Sequence, residues 1–232
     1  MIMKEQQQKK ALVAGTLVLD IIPIFDKESS ANERVTSGGT VYLNGIQTAL
    51  GGAVGNTGAA LHQLGAEVCL FSRIGGDAFS ELTESRLKQT GCRYVVPKVE
   101  EMNTSSSLII APPGGDRMIL HNRGASQRYA AEDIPEELLT ENDLLHFGYP
   151  TGMSCMYADQ GETLSAIFAR AKRLGLGTSM DTSFPGVDTP SAMADWRGIL
   201  KKTLPFVDVF LPSYEELVML LHGDRHLFTR GQ

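Results

Sequence analysis

A short glycine-rich segment, Gly51–Asn56, stands directly before a run of helical composition that extends to residue 65. It is followed by an apolar segment, Val68–Ser72, that we predict to be a buried strand, and by a second glycine turn, Gly75–Asp77. Glycines let backbone N–H groups approach a ligand closely, and Asn56 offers both a hydrogen-bond donor and an acceptor. Helix, strand and glycine turn follow in the order of an α/β fold, with a site for hydroxyl groups at the start of the helix.

The stretch from Gly51 to Asp77 resembles the first signature of the ribokinase-like (PfkB) family of sugar and nucleoside kinases. Val54 stands where the family usually has a small residue or proline, and Phe79 and Ser80 stand where a glycine usually follows the turn. The resemblance implies a three-layer α/β fold, with a parallel sheet, helices on both of its faces and a small β-lid. It also implies ATP-dependent phosphorylation of a hydroxyl group of a sugar, a related polyol or a nucleoside, with Mg²⁺ as a cofactor.

The composition agrees with one α/β domain, because 232 residues with 42% hydrophobic content can bury a full core. The net charge of −6 disfavours a nucleic-acid partner, which would favour a clustered basic surface. Three widely spaced cysteines form neither a disulfide framework nor a Cys-x-x-Cys metal site. The polar N-terminus predicts neither a signal peptide nor a membrane span. We therefore expect a cytoplasmic protein without nucleic-acid or membrane partners.

The apolar run Ala11–Leu19 predicts a single buried strand that ends at Asp20. A carboxylate at the carboxyl end of such a strand would face the ligand crevice of the sheet. A solvated aspartate that merely ends the strand is the alternative. By the resemblance, Asp20 binds sugar hydroxyls together with Gly51, Gly52 and Asn56, and an acceptor-only carboxylate suits two neighbouring hydroxyl donors.

Two segments, roughly 20–45 and 104–123, have the composition of strand excursions, and the second predicts strand, turn, strand. The resemblance implies that they form a β-lid over the sugar. The resemblance also implies that such a lid often pairs with that of a second subunit, so a homodimer through the lid would cover an exposed sheet edge. Arg117, in the second segment, either binds an anionic group, which would favour a sugar acid or sugar phosphate, or is a solvated surface arginine.

Apolar residues with helical spacing from Leu164 to Leu174 predict a core-facing helix between strands at 143–149 and 177–181. In β-α-β order, ligand sites lie at the carboxyl ends of the strands. His146, on the first of these strands, is either a hydrogen-bonded core histidine or a catalytic group.

The resemblance places Tyr149 against the substrate, whereas Asp181 is predicted to line the phosphate side, with helix capping as its alternative. A last strand, predicted at 206–211, precedes a helix that begins near Ser213. The family pattern here is Asn-x-x-Glu. Ser213 replaces the asparagine, and Glu216 keeps the acid that, by the resemblance, helps to organise magnesium through water. A capping box of the same two residues is the alternative.

The sequence contains neither a Gly-x-x-x-x-Gly-Lys-Ser/Thr phosphate loop nor a Gly-x-Gly-x-x-Gly dinucleotide motif. The second signature of the family, Asp-x-x-Gly-Ala-Gly-Asp, is also absent up to Gln232. In relatives that signature supplies the catalytic base and the anion hole, so no catalytic residue is assigned. We expect residues 1–232 to be one ribokinase-like domain that lacks its C-terminal part and holds the acceptor. A truncated, non-catalytic sugar-binding or regulatory protein of the same fold is the alternative.

Overall fold

The computed structural model describes residues 9–26, 40–186 and 189–223. The strands of these residues, numbered along the chain, are β1 (Lys10–Gly15), β2 (Val18–Phe25), β3 (Leu43–Gly51), β4 (Glu67–Phe71), β5 (Ile74–Gly75), β6 (Arg93–Val95), β7 (Lys98–Val99), β8 (Ser106–Ile110), β9 (Met118–Asn122), β10 (Leu144–Gly148), β11 (Gly177–Asp181) and β12 (Val209–Phe210). The helices are α1 (Gly52–Gln63), α2 (Ala78–Thr90), α3 (Glu136–Thr140), α4 (Glu162–Arg173), α5 (Trp196–Thr203) and α6 (Tyr214–His222).

Six strands form a parallel sheet in the order β12-β11-β10-β1-β4-β6. Helices cover both faces, so the strands are nearly continuous apolar runs. On one face, Val13 packs in a cluster with Val54 of α1 and Leu87 of α2. On the other, Leu12 belongs to a cluster that includes Phe168 of α4 and Ile199 of α5. This confirms the predicted three-layer fold.

Helix α4 is the predicted core-facing helix, and it runs from Glu162 to Arg173. Four residues of its predicted apolar face, Leu164, Ile167, Phe168 and Ala171, are buried, and the fifth, Leu174, follows the helix and is partly buried. The strand predicted at 206–211 is shorter than expected, because Leu204–Phe206 forms a 3₁₀ turn around Pro205 and only Val209–Phe210 pairs with the sheet. No helix of the described ranges is long and apolar enough to cross a lipid bilayer.

The prediction of one strand over Ala11–Leu19 is wrong. The chain leaves the central sheet at Gly15, whose φ is +122° and whose Cβ, if present, would overlap the carbonyl oxygen of Gly148. It enters a second sheet at Val18. Asp20 is therefore the third residue of β2 and does not end a strand of the central sheet.

The second sheet has four strands in the order β3-β2-β8-β9, with mixed parallel and antiparallel pairing. It lies outside the central sheet and corresponds to the predicted small β-lid; we call it the lid. Part of the first segment assigned to the lid, residues 27–39, falls outside the described residues. The single-domain division and the lid limits of 20–45 and 104–123 stay predictions.

Candidate functional site

A cavity of about 530 Å³ lies between the lid and the loops that follow β1, β10 and β11. Its wall is rich in hydroxyl side chains, which are Thr16, Ser105, Ser107, Ser126, Thr151 and Ser183. In a doubly covered parallel sheet, ligand sites form outside the carboxyl ends of the strands, where this cavity lies. We call it the acceptor cavity.

Asp20 lines the acceptor cavity and begins a row of polar side chains across the lid. Strand register aligns Asp20 with Ser107, and Ser107 with His121. The Ser107 hydroxyl donates to Asp20, and Ser107 Oγ lies 3.0 Å from His121 Nδ1. Because a serine hydroxyl has one proton, His121 then donates from Nδ1 to Ser107. The row leaves Asp20 with oxygen lone pairs for hydroxyl donors in the cavity.

Burial raises the pKa of Asp20, and the hydrogen bond from Ser107 opposes this shift. Burial lowers the pKa of His121, and the nearby positive charge of Arg123 lowers it further. His121 is therefore mainly neutral near pH 7. A neutral imidazole carries one N–H, and here that proton lies on Nδ1, which donates to Ser107. Asp20 is the acidic side chain of this row.

The two glycines predicted to bind substrate lie where β3 ends and α1 begins, beside Asp20. A Cβ on Gly51 would overlap the Asp20 carboxylate. Gly52 has a φ of +73°, and a Cβ there would lie 2.5 Å from the carbonyl oxygen of Thr16. That carbonyl accepts from Val54 N at 3.0 Å, and Thr16 Oγ1 accepts from Ala53 N at 3.2 Å. Thr16, which the sequence analysis missed, therefore caps the first turn of α1.

Asn56 is exposed and does not line the acceptor cavity, whereas Tyr149 does. The Asn56 amide hydrogen-bonds the Tyr149 hydroxyl, while burial raises the pKa of that hydroxyl. Tyr149 has a left-handed backbone conformation, with φ 61°, at the end of β10. The structure thus brings Asn56 to the edge of the cavity through Tyr149 and not into it.

Arg117 is exposed at the start of β9 and does not line the cavity. Arg123, which directly follows β9, lines it together with Ile119 and His121 of that strand. Ile119 and His121 alternate along the strand and share one face, whereas Arg123 has a helical backbone, with φ −65° and ψ −32°, at the start of the next turn. Arg117 and Arg123 lie an even number of residues apart, so alternation in the sequence could not have told them apart.

Asp181 ends β11 next to β10, outside the wall of the acceptor cavity. Burial raises its pKa to about 6; the backbone N–H of Tyr149 opposes this shift, and the charge of Glu216 adds to it. Asp181 Oδ1 is buried without a hydrogen-bond partner among the described residues. It lies 3.8 Å from His146 Nε2, too far for a hydrogen bond. Asp181 does not cap any helix of the described residues, which was the alternative role for it.

His146 is 3% exposed, and its Nδ1 lies 3.1 Å from Ser179 Oγ. Burial lowers its pKa to about 4, so the ring is neutral at pH 7. These contacts agree with the hydrogen-bonded core histidine of the two alternatives.

Ser213 and Glu216 form the capping box at the start of α6. Ser213 Oγ accepts from Glu216 N at 3.2 Å, and Glu216 Oε2 accepts from Ser213 N at 2.8 Å. Thr182 Oγ1, next to Asp181, also donates to Glu216 Oε2 at 3.1 Å. The capping alternative is confirmed, and the same cap holds Glu216 close to Asp181. We call Asp181, Thr182, Ser213 and Glu216 the acidic cluster; the predicted magnesium role of Glu216 stays a prediction.

The family described as pfkB family carbohydrate kinase matches residues 9–224, nearly the whole chain. The chain belongs to this family. Among curated proteins, it is 28% identical over 116 residues to ribokinase from Bacillus subtilis (strain 168), which covers 49% of this chain and 37% of that protein. It is 25% identical over 167 residues to ATP-dependent ribose-1-phosphate kinase from Halopiger xanaduensis, which covers 72% of this chain and 49% of that protein. The chain thus spans half or less of the length of these curated relatives.

Solved structures show the same fold. Fructokinase with bound ATP from Xylella fastidiosa matches with a TM-score of 0.72 at 19% identity, over 92% of this chain and 61% of that one. Arabidopsis thaliana ribokinase, solved with ribose and ATP, matches with a TM-score of 0.65 at 20% identity, over 92% of this chain and 63% of that one. The chain thus has the ribokinase-like fold of the pfkB family to which it belongs.

Proposed function

We propose that the protein of which this chain is a part transfers the γ-phosphate of ATP to a hydroxyl group of a sugar, a related polyol or a nucleoside. One observation carries the proposal: the partly buried Asp20 carboxylate faces a hydroxyl-lined cavity beneath a β-lid. Relatives named as ribokinase and as ATP-dependent ribose-1-phosphate kinase support the reaction class.

The acceptor cavity would bind and orient the sugar. Asp20 accepts hydrogen bonds from two neighbouring hydroxyls, and Gly51 and Gly52 leave room beside it where any Cβ would collide. Tyr149, held by Asn56, contacts the acceptor from the side of the central sheet. The lid excludes water, which would otherwise compete with the sugar hydroxyl for the phosphate. Positioning of this kind supplies much of the rate in phosphoryl transfer.

The acidic cluster would face the phosphates and Mg²⁺. The nearby charge of Glu216 adds to the burial that raises the pKa of Asp181, and Asp181 Oδ1 has no donor among the described residues. One or two carboxylates with hydroxyls and water are the usual protein share of a magnesium site, so these residues fit the ion. Glu216 would hold it through water, beside Ser213 and Asp181. A bound Mg²⁺ would neutralise charge on the phosphates of ATP.

The test is a pair of measurements on the purified 232-residue chain. Calorimetry over a panel of sugars, sugar acids and nucleosides measures binding to the acceptor cavity, and magnesium-dependent ADP release measures phosphoryl transfer. We expect saturable binding of at least one acceptor; acceptor-dependent ADP release would show in addition that this chain assembles a complete transfer site. Binding without ADP release would limit this chain to holding the acceptor. A folded chain that binds none of the panel would overturn the proposal.

We also propose that two copies pair through their lids. Large apolar side chains lie exposed on this sheet: Ile46 is 63%, Met118 52% and Leu120 52% exposed. The outer strands β3 and β9 each pair on one side only within the described residues, and a partner edge would complete their hydrogen bonds. Light scattering should give the mass of a dimer, and Leu120→Lys should give that of a monomer.

The proposed setting is the cytoplasm, with small molecules and not nucleic acids as partners. The cysteines of the described chain are free thiols, which agrees with a reducing compartment. The net charge of −6 supports the absence of a nucleic-acid partner.

A further inference from the structure

Arg123 gives the acceptor cavity a positive charge that the binding of neutral hydroxyls does not require. Of the Asp, Glu, Lys and Arg side chains in the described residues, Asp20 and Arg123 are the two that line the cavity. Arg123 follows β9 directly and is partly buried. Its positive charge acts inside the cavity, since it contributes to the lowered pKa of His121, which also lines the cavity.

The guanidinium of Arg123 has no carboxylate within ion-pair distance among the described residues. Its Nη1 donates to the Tyr157 hydroxyl at 3.4 Å, a long bond to a neutral group. Arg73, another partly buried arginine, instead pairs with Asp133, and its Nη1 lies 2.6 Å from Asp133 Oδ2. A guanidinium stays protonated in proteins, and it has five N–H donors to satisfy. Arg123 therefore retains donors and charge for a ligand.

The backbone holds Arg123 in this position. Its carbonyl oxygen accepts from Ser105 Oγ, and Ser105 Oγ also contacts Ser126 Oγ at 2.9 Å. Ser126 Oγ in turn donates to the carbonyl of Leu17, at the start of the lid. This hydrogen-bond network connects the backbone after β9 to the segment between β1 and β2, and it fixes the backbone position of Arg123.

Asp20 lies on β2 and Arg123 directly follows β9, and β8 alone separates these two strands. Neighbouring strands lie about 4.8 Å apart, so the two side chains start from backbones about 10 Å apart across the sheet. They form no ion pair with each other in the described structure. One small molecule can therefore offer hydroxyl donors to Asp20 and an anionic group to Arg123.

On the basis of the proposed kinase function, we propose that the acceptor carries an anionic group, a carboxylate or a phosphate, that Arg123 binds. The planar fork of a guanidinium matches both groups with paired N–H···O bonds, and such charge-assisted bonds are stronger than neutral ones. The acceptor is then a sugar acid or a sugar phosphate, whose hydroxyls bind to Asp20. Neutral sugars bind in the same cavity but more weakly.

The test compares matched neutral and anionic ligands by calorimetry with the full chain: D-sorbitol against D-gluconate, and D-ribose against D-ribose 5-phosphate. We expect one anionic member to bind roughly ten-fold more tightly than its neutral partner, the size of one charge-assisted interaction. The gluconate and phosphate arms distinguish the two anionic groups. In Arg123→Gln the preference should vanish while neutral binding changes less than two-fold. Arg123→Lys should keep part of the preference.

Arg128→Gln is the matched control, because Arg128 is exposed, pairs with Glu101 and lies outside the acceptor cavity. It should behave like the unaltered chain. The inference would be overturned if both anionic ligands bound no more tightly than their neutral partners, or if the preference for the anion survived in Arg123→Gln. Binding of the neutral ligands would in that case still support the acceptor cavity. If Arg123→Gln melts early, Arg123→Lys still decides between charge and packing. If the folded chain binds no member of either pair, the acceptor cavity itself is wrong and the inference falls with it.

Discussion

Asp20 and Asp181 are both partly buried aspartates with raised pKa values, but they lie in different surroundings. Asp20 stands in the acceptor cavity, where Ser107 donates to it and the charge of Arg123 lies two strands away. Asp181 stands in the acidic cluster, where Glu216 repels its charge and Oδ1 has no donor within the described chain. The first carboxylate has one donor in place and lone pairs left over.

This difference indicates what each region is suited to bind. A carboxylate in a wall of hydroxyl groups can exchange protein donors for substrate donors with little change in charge. Two carboxylates that share a site gain most from a ligand that brings positive charge. The acceptor cavity therefore suits a polyol, and the acidic cluster suits a nucleotide with its metal ion.

The largest expected effect tests how the acceptor cavity is built. Gly52→Ala should lower the free energy of unfolding by about 3 kcal/mol or more, since a left-handed L-residue costs ~1–2 kcal/mol and steric overlap adds a similar amount. The overlap is with the carbonyl of Thr16, which also accepts from Val54 N. Urea unfolding measures the loss.

Gly175→Ala is the control for this substitution. Gly175 also has a positive φ, +86°, but a Cβ there would meet nothing within 4 Å. It should cost about 1 kcal/mol, the conformational part alone. Equal losses in both variants would mean that the Thr16 contact contributes nothing and that only the backbone conformation matters.

The second prediction separates the two aspartates. Asp20→Asn should weaken acceptor binding about 100-fold, as expected for two charge-assisted hydrogen bonds at roughly 1.5 kcal/mol each. It should not lower the melting temperature, because burial already disfavours the charged form of Asp20. Calorimetry and thermal melting measure these two effects.

Asp181→Asn should have the opposite effect on ligand binding. The acceptor affinity should change less than two-fold, whereas the affinity for ATP with magnesium should change. If both variants lost acceptor binding equally, the two regions would be one site. Early melting of Asp20→Asn would assign Asp20 to the fold and not to the ligand.

The same contrast shows what the sequence could predict. The spacing of Leu164 and its partners defined α4, because a helix that covers a sheet must place its apolar residues on one face. The position of Asp20 could not be predicted, because apolar residues resume at Leu17, directly after the point where the chain changes sheets at Gly15 and Thr16. Pairing partners of a strand are a tertiary property that composition does not encode.

Individual site residues follow the same rule. Gly51 and Gly52 were predicted because glycines let the backbone approach a ligand closely, and the structure places both beside Asp20 or Thr16, where a Cβ would overlap. Asn56 lies in the predicted helix, but its side chain meets Tyr149 from an exposed position, which depends on the loop after β10. Arg117 directly precedes β9 and Arg123 directly follows it, and only the folded chain shows that Arg123 lines the cavity and Arg117 does not.

The third prediction concerns the pH dependence of stability. The pKa of Asp181 is raised to about 6 in the fold, so the folded state takes up a proton first as the pH falls, and stability rises through this range. The pKa of His146 is lowered to about 4, so the unfolded state is protonated first and stability falls over nearly the same range. In the unaltered chain these two contributions largely cancel.

Substitution should expose each contribution. As the pH falls from 7.5 to 5.0, the free energy of unfolding of His146→Gln should rise by roughly 1 to 2 kcal/mol relative to that of the unaltered chain. That of Asp181→Asn should fall by a similar amount. Glu216, the other charged group that acts on Asp181, remains in both variants. Urea unfolding at the two pH values measures the slopes. Parallel slopes in all three proteins would show that neither group is buried as described.

The smallest expected effect tests the acidic cluster. Ser213→Ala removes the hydroxyl that accepts from Glu216 N, and loss of such a cap costs about 1 kcal/mol of stability. Glu216 keeps its bonds from Ser213 N and Thr182, so it should stay beside Asp181, and affinity for ATP with magnesium should change less than two-fold. If instead nucleotide affinity fell and melting did not, the hydroxyl of Ser213 would contact the nucleotide or its metal ion directly. The acidic cluster would then contact its ligand through a hydroxyl group, like the hydroxyl-lined acceptor cavity. The two regions would differ only in the charge of their side chains.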